Sequence, residues 1–495
     1  MEVLVNKVFE NAIAYHDRLA VAYKNELLSY RALANATINF SYKLKELGAT
    51  ENNHIFISAV SKQETVVAYL AITLIGAVAV FLDKNATAEL VEKLYAKIDG
   101  NLLLTDKKYS LSEKVKTASL HEMYEKAVNG KVHISYPHVD RDSERISEIL
   151  FTSGTTGVPK GVMLSFRTIS AVIMGDNNFN HHKKDDILLI PTPLHHTLAL
   201  RKLRTGLYNG CTCVLQNGFT FAKDLENNII KYNCSAMECV PASFPIVEAQ
   251  MKNRFSEIVG RLKLIEVGAG SLSENQKKKY VELLPKTKII CNYGASEVGG
   301  TVIFCNASNL IDNGLENALG KSDKQMASLK IVDCDYNEFS STHDNPGRLM
   351  IEGDMVFSGY YKDEENTKKS LVNGGYLSND LAYIKDGYIC MLGRSDDLIN
   401  VGGEKVYPVE IENAASQYHG IVECACVGIP DPEEITGQVP AIFVVKNDTY
   451  NEVEFMGFLK KQVTKYQLPK VIKYIEALPR NAMQKIDRKV LRTML

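Results

Sequence analysis

Residues Ile149 to Val162 read ILFTSGTTGVPKGV, an apolar run that passes into a dense cluster of hydroxyls and glycines closed by a lysine. Gly154 and Gly157 let successive backbone N–H groups turn toward one anion, while Thr152, Ser153, Thr155 and Thr156 add hydroxyl donors and Lys160 adds a positive charge. Donors converging in this way suit a polyphosphate. A Walker loop is disfavoured, because Pro159 stands where that pattern needs glycine and Gly161-Val162 replace its Ser or Thr. A second stretch, KIICNYGASEVGG from 288 to 300, is a strand that ends in an aromatic, small residues, a hydroxyl and an acid. Tyr293 can stack on a flat base, Ser296 can bond a phosphate, and Glu297 can hold Mg²⁺ through oxygen. Gly268-Ala269-Gly270 is a fragment of a dinucleotide fingerprint whose third glycine position holds Ser273. His195 and His196 fall where a proline-bounded turn meets a helical pattern.

The elements that must carry these residues alternate. HIFISAV predicts a strand, and QETVVAYLAITLIGAVAVFLD predicts a buried helix joined at Gly76 to another strand. Repeated strand–helix alternation up to about residue 318 predicts a parallel α/β sheet. From about 319 to 394 short runs around Gly, Asn and Asp predict an antiparallel β segment, with Asp386-Gly387 as a hairpin turn. A compact α+β unit of about a hundred residues completes the chain.

The chain has 495 residues, too many for one core. Its net charge of −2, from 57 Lys plus Arg against 59 Asp plus Glu, gives no basic field for nucleic acid and favours small-molecule or protein partners. No apolar run reaches about 18 residues, and the N-terminal stretch carries acids and no cleavable apolar core, so a cytoplasmic protein without a transmembrane segment is expected. The ten cysteines lack zinc-site spacing and are read as reduced thiols.

TSGTTGVPKG resembles the signature loop of the adenylate-forming superfamily, which comprises acyl- and aryl-CoA synthetases, luciferases and adenylation domains. Further ordered segments carry the resemblance from Leu28 to Leu491. It implies a large N-terminal domain, residues 1–394, of α/β subdomains plus a β-rich segment, and a small hinged C-terminal α+β domain, residues 395–495. It implies that Gly268, Ala269 and Gly270 lie against adenine, with Asn292, Tyr293, Gly294, Ala295 and Ser296 completing the ATP site and Glu297 holding Mg²⁺. Asp380 and Arg394 then meet the ribose hydroxyls. His196 gates the acyl pocket, Asp396 is the hinge, Gly402 and Gly403 guide the thiol, and Lys485 is the catalytic lysine. The chain departs from the family at Gln484, Asn379, Arg348 and Phe166, where glycine, glycine, an acid and histidine are usual.

The implied reaction joins AMP to a carboxylic acid, releases pyrophosphate, and lets a thiol displace AMP. Charge gathering at the α-phosphate would meet Lys485, Mg²⁺ on Glu297, and the donors Thr152 to Thr156, Thr155 among them, with Lys160. ATP, Mg²⁺ and CoA are the expected cofactors. The acid is read as aryl or fatty rather than α-amino, because no acidic residue lies between Pro191 and Gly210 to hold an ammonium. Two alternatives stand beside an acyl- or aryl-CoA ligase: a free-standing adenylation enzyme that loads the phosphopantetheine of a separate carrier protein, and a non-catalytic nucleotide-binding relative.

Overall fold

The computed structural model describes residues 3–152, 159–315, 317–322, 327–480 and 486–495. Ser153, Gly154, Thr155, Thr156 and Gly157 of the signature loop, and Lys485, lie outside the described residues.

Two large sheets dominate. One has eight strands in the order Gly300–Asn306, Lys288–Ala295, Leu264–Val267, Ala236–Cys239, Ile187–Ile190, Thr212–Leu215, Leu19–Tyr23 and Glu26–Ser29, and it is parallel except at its two edge pairs. The other has seven strands, with Ile146–Thr152, Val78–Asp83, His54–Ala59 and Gly100–Leu104 running parallel at its centre. Burial of parallel strands on both faces accounts for their unbroken apolar runs. Gln63–Ile75 is buried nearly all round and ends at Gly76, whose φ of +79° caps the helix.

A buried ion pair ties the two sheets together. Glu148, on the strand Ile146–Thr152, accepts from the Tyr69 hydroxyl at 2.6 Å and from the Arg204 guanidinium, and all three side chains are buried. Arg204 belongs to the helix Thr197–Tyr208, which packs on the eight-stranded sheet.

The third sheet is antiparallel, in the order Ala318–Gly320, Tyr388–Arg394, Gly375–Lys385, Gly347–Glu352 and Ser328–Val332. Asp386 and Gly387 turn its longest hairpin with φ of 52° and 75°, the two left-handed residues a tight hairpin needs. A smaller C-terminal domain follows. Its three-stranded sheet, Ile421–Pro430, Gln438–Lys446 and Val471–Tyr474, carries apolar clusters drawn only from residues at or beyond Ile399. Among the described residues no helix is long and apolar enough to cross a membrane.

The two domains meet through a few polar contacts. Asn275 donates to the Ser416 carbonyl at 2.9 Å, and the His343 ring lies 2.5 Å from Glu410 Oε1 and edge-on to Tyr383 and Tyr407. Asp344 and Glu410 together hold His343 above the usual histidine range, against partial burial. Asp344 adjoins His343 in the chain, so only the Glu410 bond depends on docking. A raised pKa gives stabilisation that is complete below the unfolded value of about 6.5 and is lost as pH rises through the folded value. We expect single-molecule FRET between probes on the two domains to report more of this orientation at about pH 6 than at about pH 8.5. Glu410→Gln should flatten the dependence, and a pH response that survives this substitution would exclude the contact as its source.

Candidate active site

The signature stretch sits on a hairpin. Ile146–Thr152 pairs antiparallel with Lys160–Ser165, and Thr152 stands opposite Lys160. Thr152 and Lys160, the residues that flank the loop on either side, are thereby held in register as cross-strand neighbours. Lys160 Nζ donates to Asn366 Oδ1 at 2.7 Å and lies 4.9 Å above the Tyr360 ring. The Tyr360 hydroxyl donates to Glu297 Oε1 at 2.8 Å, and Glu297 is buried at the start of the turn Ser296–Val298. One tyrosine therefore bridges the signature lysine and the acid suited to Mg²⁺. Burial and the Glu297 carboxylate both push the Tyr360 phenol upward, so it stays a donor.

A second group gathers at the end of the strand Lys288–Ala295. Tyr293 is buried, and its hydroxyl donates to Asp380 Oδ2. Asp380 faces Arg394 across the third sheet, and Arg394 Nη2 bonds Asp396 Oδ2 at 3.0 Å. Tyr293, Asp380, Arg394 and Asp396 thus form one chain of contacts from the nucleotide segment to the expected hinge. Gly294 has no room for a side chain, since an added Cβ would fall 1.8 Å from the Gly300 carbonyl oxygen. Ala269 takes a left-handed φ of 62°, a backbone state uncommon without glycine and frequent at ligand sites. Gly268 and Asn292 stand side by side, and Gly270, Ser271, Leu272 and Asn292 border a small cleft.

Two departures from the family pattern touch each other here. Arg348 Nη2 donates to Asn379 Oδ1 at 2.9 Å and its Nε to the Ser378 carbonyl at 3.0 Å, while Ser378 Oγ accepts from the Asp380 N–H. The unusual arginine and the unusual asparagine hold one another beside Asp380.

His196 is the N-cap residue of the helix Thr197–Tyr208, with its ring centroid 4.0 Å from that of His195. Burial lowers the pKa of His195, whose Nε2 is 3.9 Å from Asp83 Oδ2. The expectation that no acid stands near this helix holds along the chain but not in space. Glu266 and Glu238, on neighbouring strands, lie beneath it with Asp83 at its start. Arg201 bonds Asp176 and Glu266 at 2.6 Å each, and Lys202 contacts Glu266 and His182. Asp176, His182 and Glu266 have metal-ligand spacing, but two cations already occupy both carboxylates.

Gly402 and Gly403 form an exposed turn held inside its own domain, by bonds from their N–H groups to the Thr436 carbonyl and Asn400 Oδ1. Among the described residues nothing lies within 4 Å of a Cβ added at Gly403, yet its φ of +95° strains any other residue there. Asp397, next to Asp396, bonds Arg492 at 2.9 Å and lies 3.5 Å from Arg488. Arg480 and Ile486 pair across an isolated antiparallel bridge.

Tyr360, Asn366 and Glu238 escape a reading of the sequence. Tyr360 lies in MVFSGYY, a run that reads only as strand, and 63 residues separate it from Glu297.

These features have a known counterpart. The AMP-binding enzyme family model matches residues 8–361, and the model of the AMP-binding enzyme C-terminal domain matches 410–485. The chain belongs to the AMP-binding enzyme family and is an adenylate-forming acid–thiol ligase of the acyl-CoA synthetase type. Its relatives include 2-succinylbenzoate–CoA ligase of Oceanobacillus iheyensis, 28% identical with 95% of each chain covered. Another is 4-coumarate–CoA ligase 1 of Narcissus pseudonarcissus, 26% identical over 98% of this chain and 92% of that protein. In fold the chain matches o-succinylbenzoate CoA synthetase (MenE) of Bacillus subtilis in complex with the acyl-adenylate OSB-AMP, at a TM-score of 0.86 with 23% identity and 98% of each chain covered.

Proposed function

We propose that this protein activates an aryl or fatty carboxylic acid as its acyl-adenylate and transfers the acyl group to CoA. The observation that carries this reading is the continuous contact path Lys160–Tyr360–Glu297 beside Tyr293–Asp380–Arg394. It supplies a cation, a magnesium-type carboxylate and a ribose-type carboxylate from three separate segments. The chemistry of each donor fits ATP with Mg²⁺. Oxygen is the ligand Mg²⁺ prefers, and a bound Mg²⁺ would neutralise phosphate charge.

In this reading Thr152, the loop donors and Lys160 hold the phosphates. Asp380 and Arg394 position the ribose, and Gly268 to Gly270 with Tyr293 take the base. His196 gates the acyl pocket. Lys485 stabilises charge in the first step and must leave before the thiol arrives, which is why it rides on a hinged domain. We place the hinge at Asp396. The relatives named above are CoA ligases, which favours CoA over a carrier protein as acceptor.

The test is ATP–pyrophosphate exchange over a panel of benzoates, cinnamates and fatty acids, followed by thioester formation with CoA. At least one simple acid should support exchange. Exchange with no acid under conditions where ATP binds would defeat the reading.

A further inference from the structure

The helix that starts at His196 covers the ends of four strands. On the side facing it, those strands present Thr192, Glu238, Glu266, Gly268 and Asn292, a polar row where apolar side chains would be expected. Glu238 is fully buried. One of its oxygens is satisfied by the backbone N–H of Thr192 at 3.2 Å and by the Thr192 hydroxyl, and the other, Oε2, has no hydrogen-bond partner among the described residues. Asn292 shows the same incompleteness. Its Nδ2 donates to Glu266 Oε2 at 3.2 Å, which fixes the amide orientation, and its Oδ1 is buried with no partner among the described residues.

Neighbouring charges do not complete these groups. Glu266 is saturated by Arg201 and Lys202, which outweigh burial and keep it well below the usual carboxylate range. Among the described residues no cation bonds Glu238, and burial raises it to about 7 against the pull of the Thr192 bonds and the more distant charges of Arg201 and Lys202. A buried acceptor without a donor is costly, and native proteins seldom leave one unless a ligand or water completes it. Gly268 stands on the strand between the two acceptors, and a Cβ there would meet Leu198 of the covering helix at 2.9 Å. The absence of a side chain leaves the strand end open toward that helix, and the C-terminal ends of parallel strands are where open α/β sheets bind ligands.

Resting on the acid-activating reading above, we infer that Glu238 is a specificity-determining residue. It receives a hydrogen bond from a hydroxyl or N–H group carried on the acyl portion of the substrate away from its carboxyl, and Asn292 Oδ1 offers a second acceptor nearer the nucleotide. The substrate class is a hydroxy- or amino-substituted aryl or short aliphatic acid, and an unsubstituted chain leaves both acceptors empty.

The experiment compares matched acids differing only in that group, benzoate with 3- and 4-hydroxybenzoate and 4-aminobenzoate, and hexanoate with 6-hydroxyhexanoate. Thermal stabilisation in the presence of Mg²⁺ and a non-hydrolysable ATP analogue reads binding, and pyrophosphate exchange reads activity. At least one substituted acid should bind about tenfold or more tightly than its parent. Glu238→Leu should abolish or invert that ratio while keeping the unliganded melting temperature near that of the wild type, and Glu238→Gln, which keeps an acceptor oxygen, should retain most of it. Equal stabilisation by both members of every pair would overturn the inference, as would a ratio unchanged in Glu238→Leu, since the carboxyl would then serve the interior alone. Because binding is read separately, selective binding without exchange would count against the activity and leave the assignment of Glu238 standing.

Discussion

Replacing Lys485 by alanine is expected to lower adenylate formation by about a hundredfold to a thousandfold while leaving thioester formation from supplied acyl-adenylate close to the wild-type rate. The expectation follows from where charge develops. In the first step the attacking carboxylate and the departing pyrophosphate crowd negative charge around the α-phosphate, and a fixed cation there is worth several kcal/mol. In the second step a thiol displaces AMP, and a lysine in the same space would block its approach. The domain is built to hold the segment ends firmly. Arg480 bonds Glu423, and Arg488 bonds Glu412 at 2.9 Å, on either side of the lysine-bearing stretch. Pyrophosphate exchange measures the first step, and single-turnover reaction of isolated adenylate with CoA measures the second. Equal loss in both would show that the lysine serves each step and would remove the reason for a hinge.

Arg204→Leu should reduce stability by roughly 3–5 kcal/mol, because it strands the Glu148 carboxylate in a fully buried site. Burial already drives Glu148 above the usual carboxylate range, with Arg204 and then Tyr69 opposing the rise. Without the guanidinium the group must take up a proton or draw in water. Glu148→Leu alone leaves the converse defect, an unpaired guanidinium. The double substitution should recover most of the loss, since exchanging a buried pair for apolar side chains is often nearly neutral. Urea unfolding midpoints of the three variants measure this. If each single variant unfolds within about 1 kcal/mol of the wild type, the pair is not what joins the two sheets.

Much of this architecture is local and therefore legible. The Asp386-Gly387 turn and the helix end at Gly76 depend on backbone preferences of a few adjacent residues, and such preferences are visible in any window that contains them. The apolar runs announce strands for the same reason. Order within a sheet is another matter. Thr212 bonds the Leu19 carbonyl although 193 residues separate them, and no local pattern requires that neighbour. The site divides along the same line. Glu297 and Lys160 are legible within their motifs, whereas the tyrosine that joins them is not. The acids beneath the helix that His196 caps are not legible, because a carboxylate acts through space and theirs stand far from that helix in the chain. Arg348 and Asn379 read singly as anomalies. Side by side they are a hydrogen-bonded pair.

The two adjacent acids at the domain boundary have a mechanical meaning. Asp396 is tied backward to Arg394, and Asp397 is tied forward to Arg488 and Arg492 in the terminal helix. Each anchor belongs to a different body, so twisting the backbone between these residues breaks neither ion pair. A hinge at Asp396, as proposed above, would confine rotation to the few dihedral angles of a short axle whose two ends are clamped. The choice between orientations would then fall to contacts that only one of them makes, such as His343–Glu410, and to differential ligand binding.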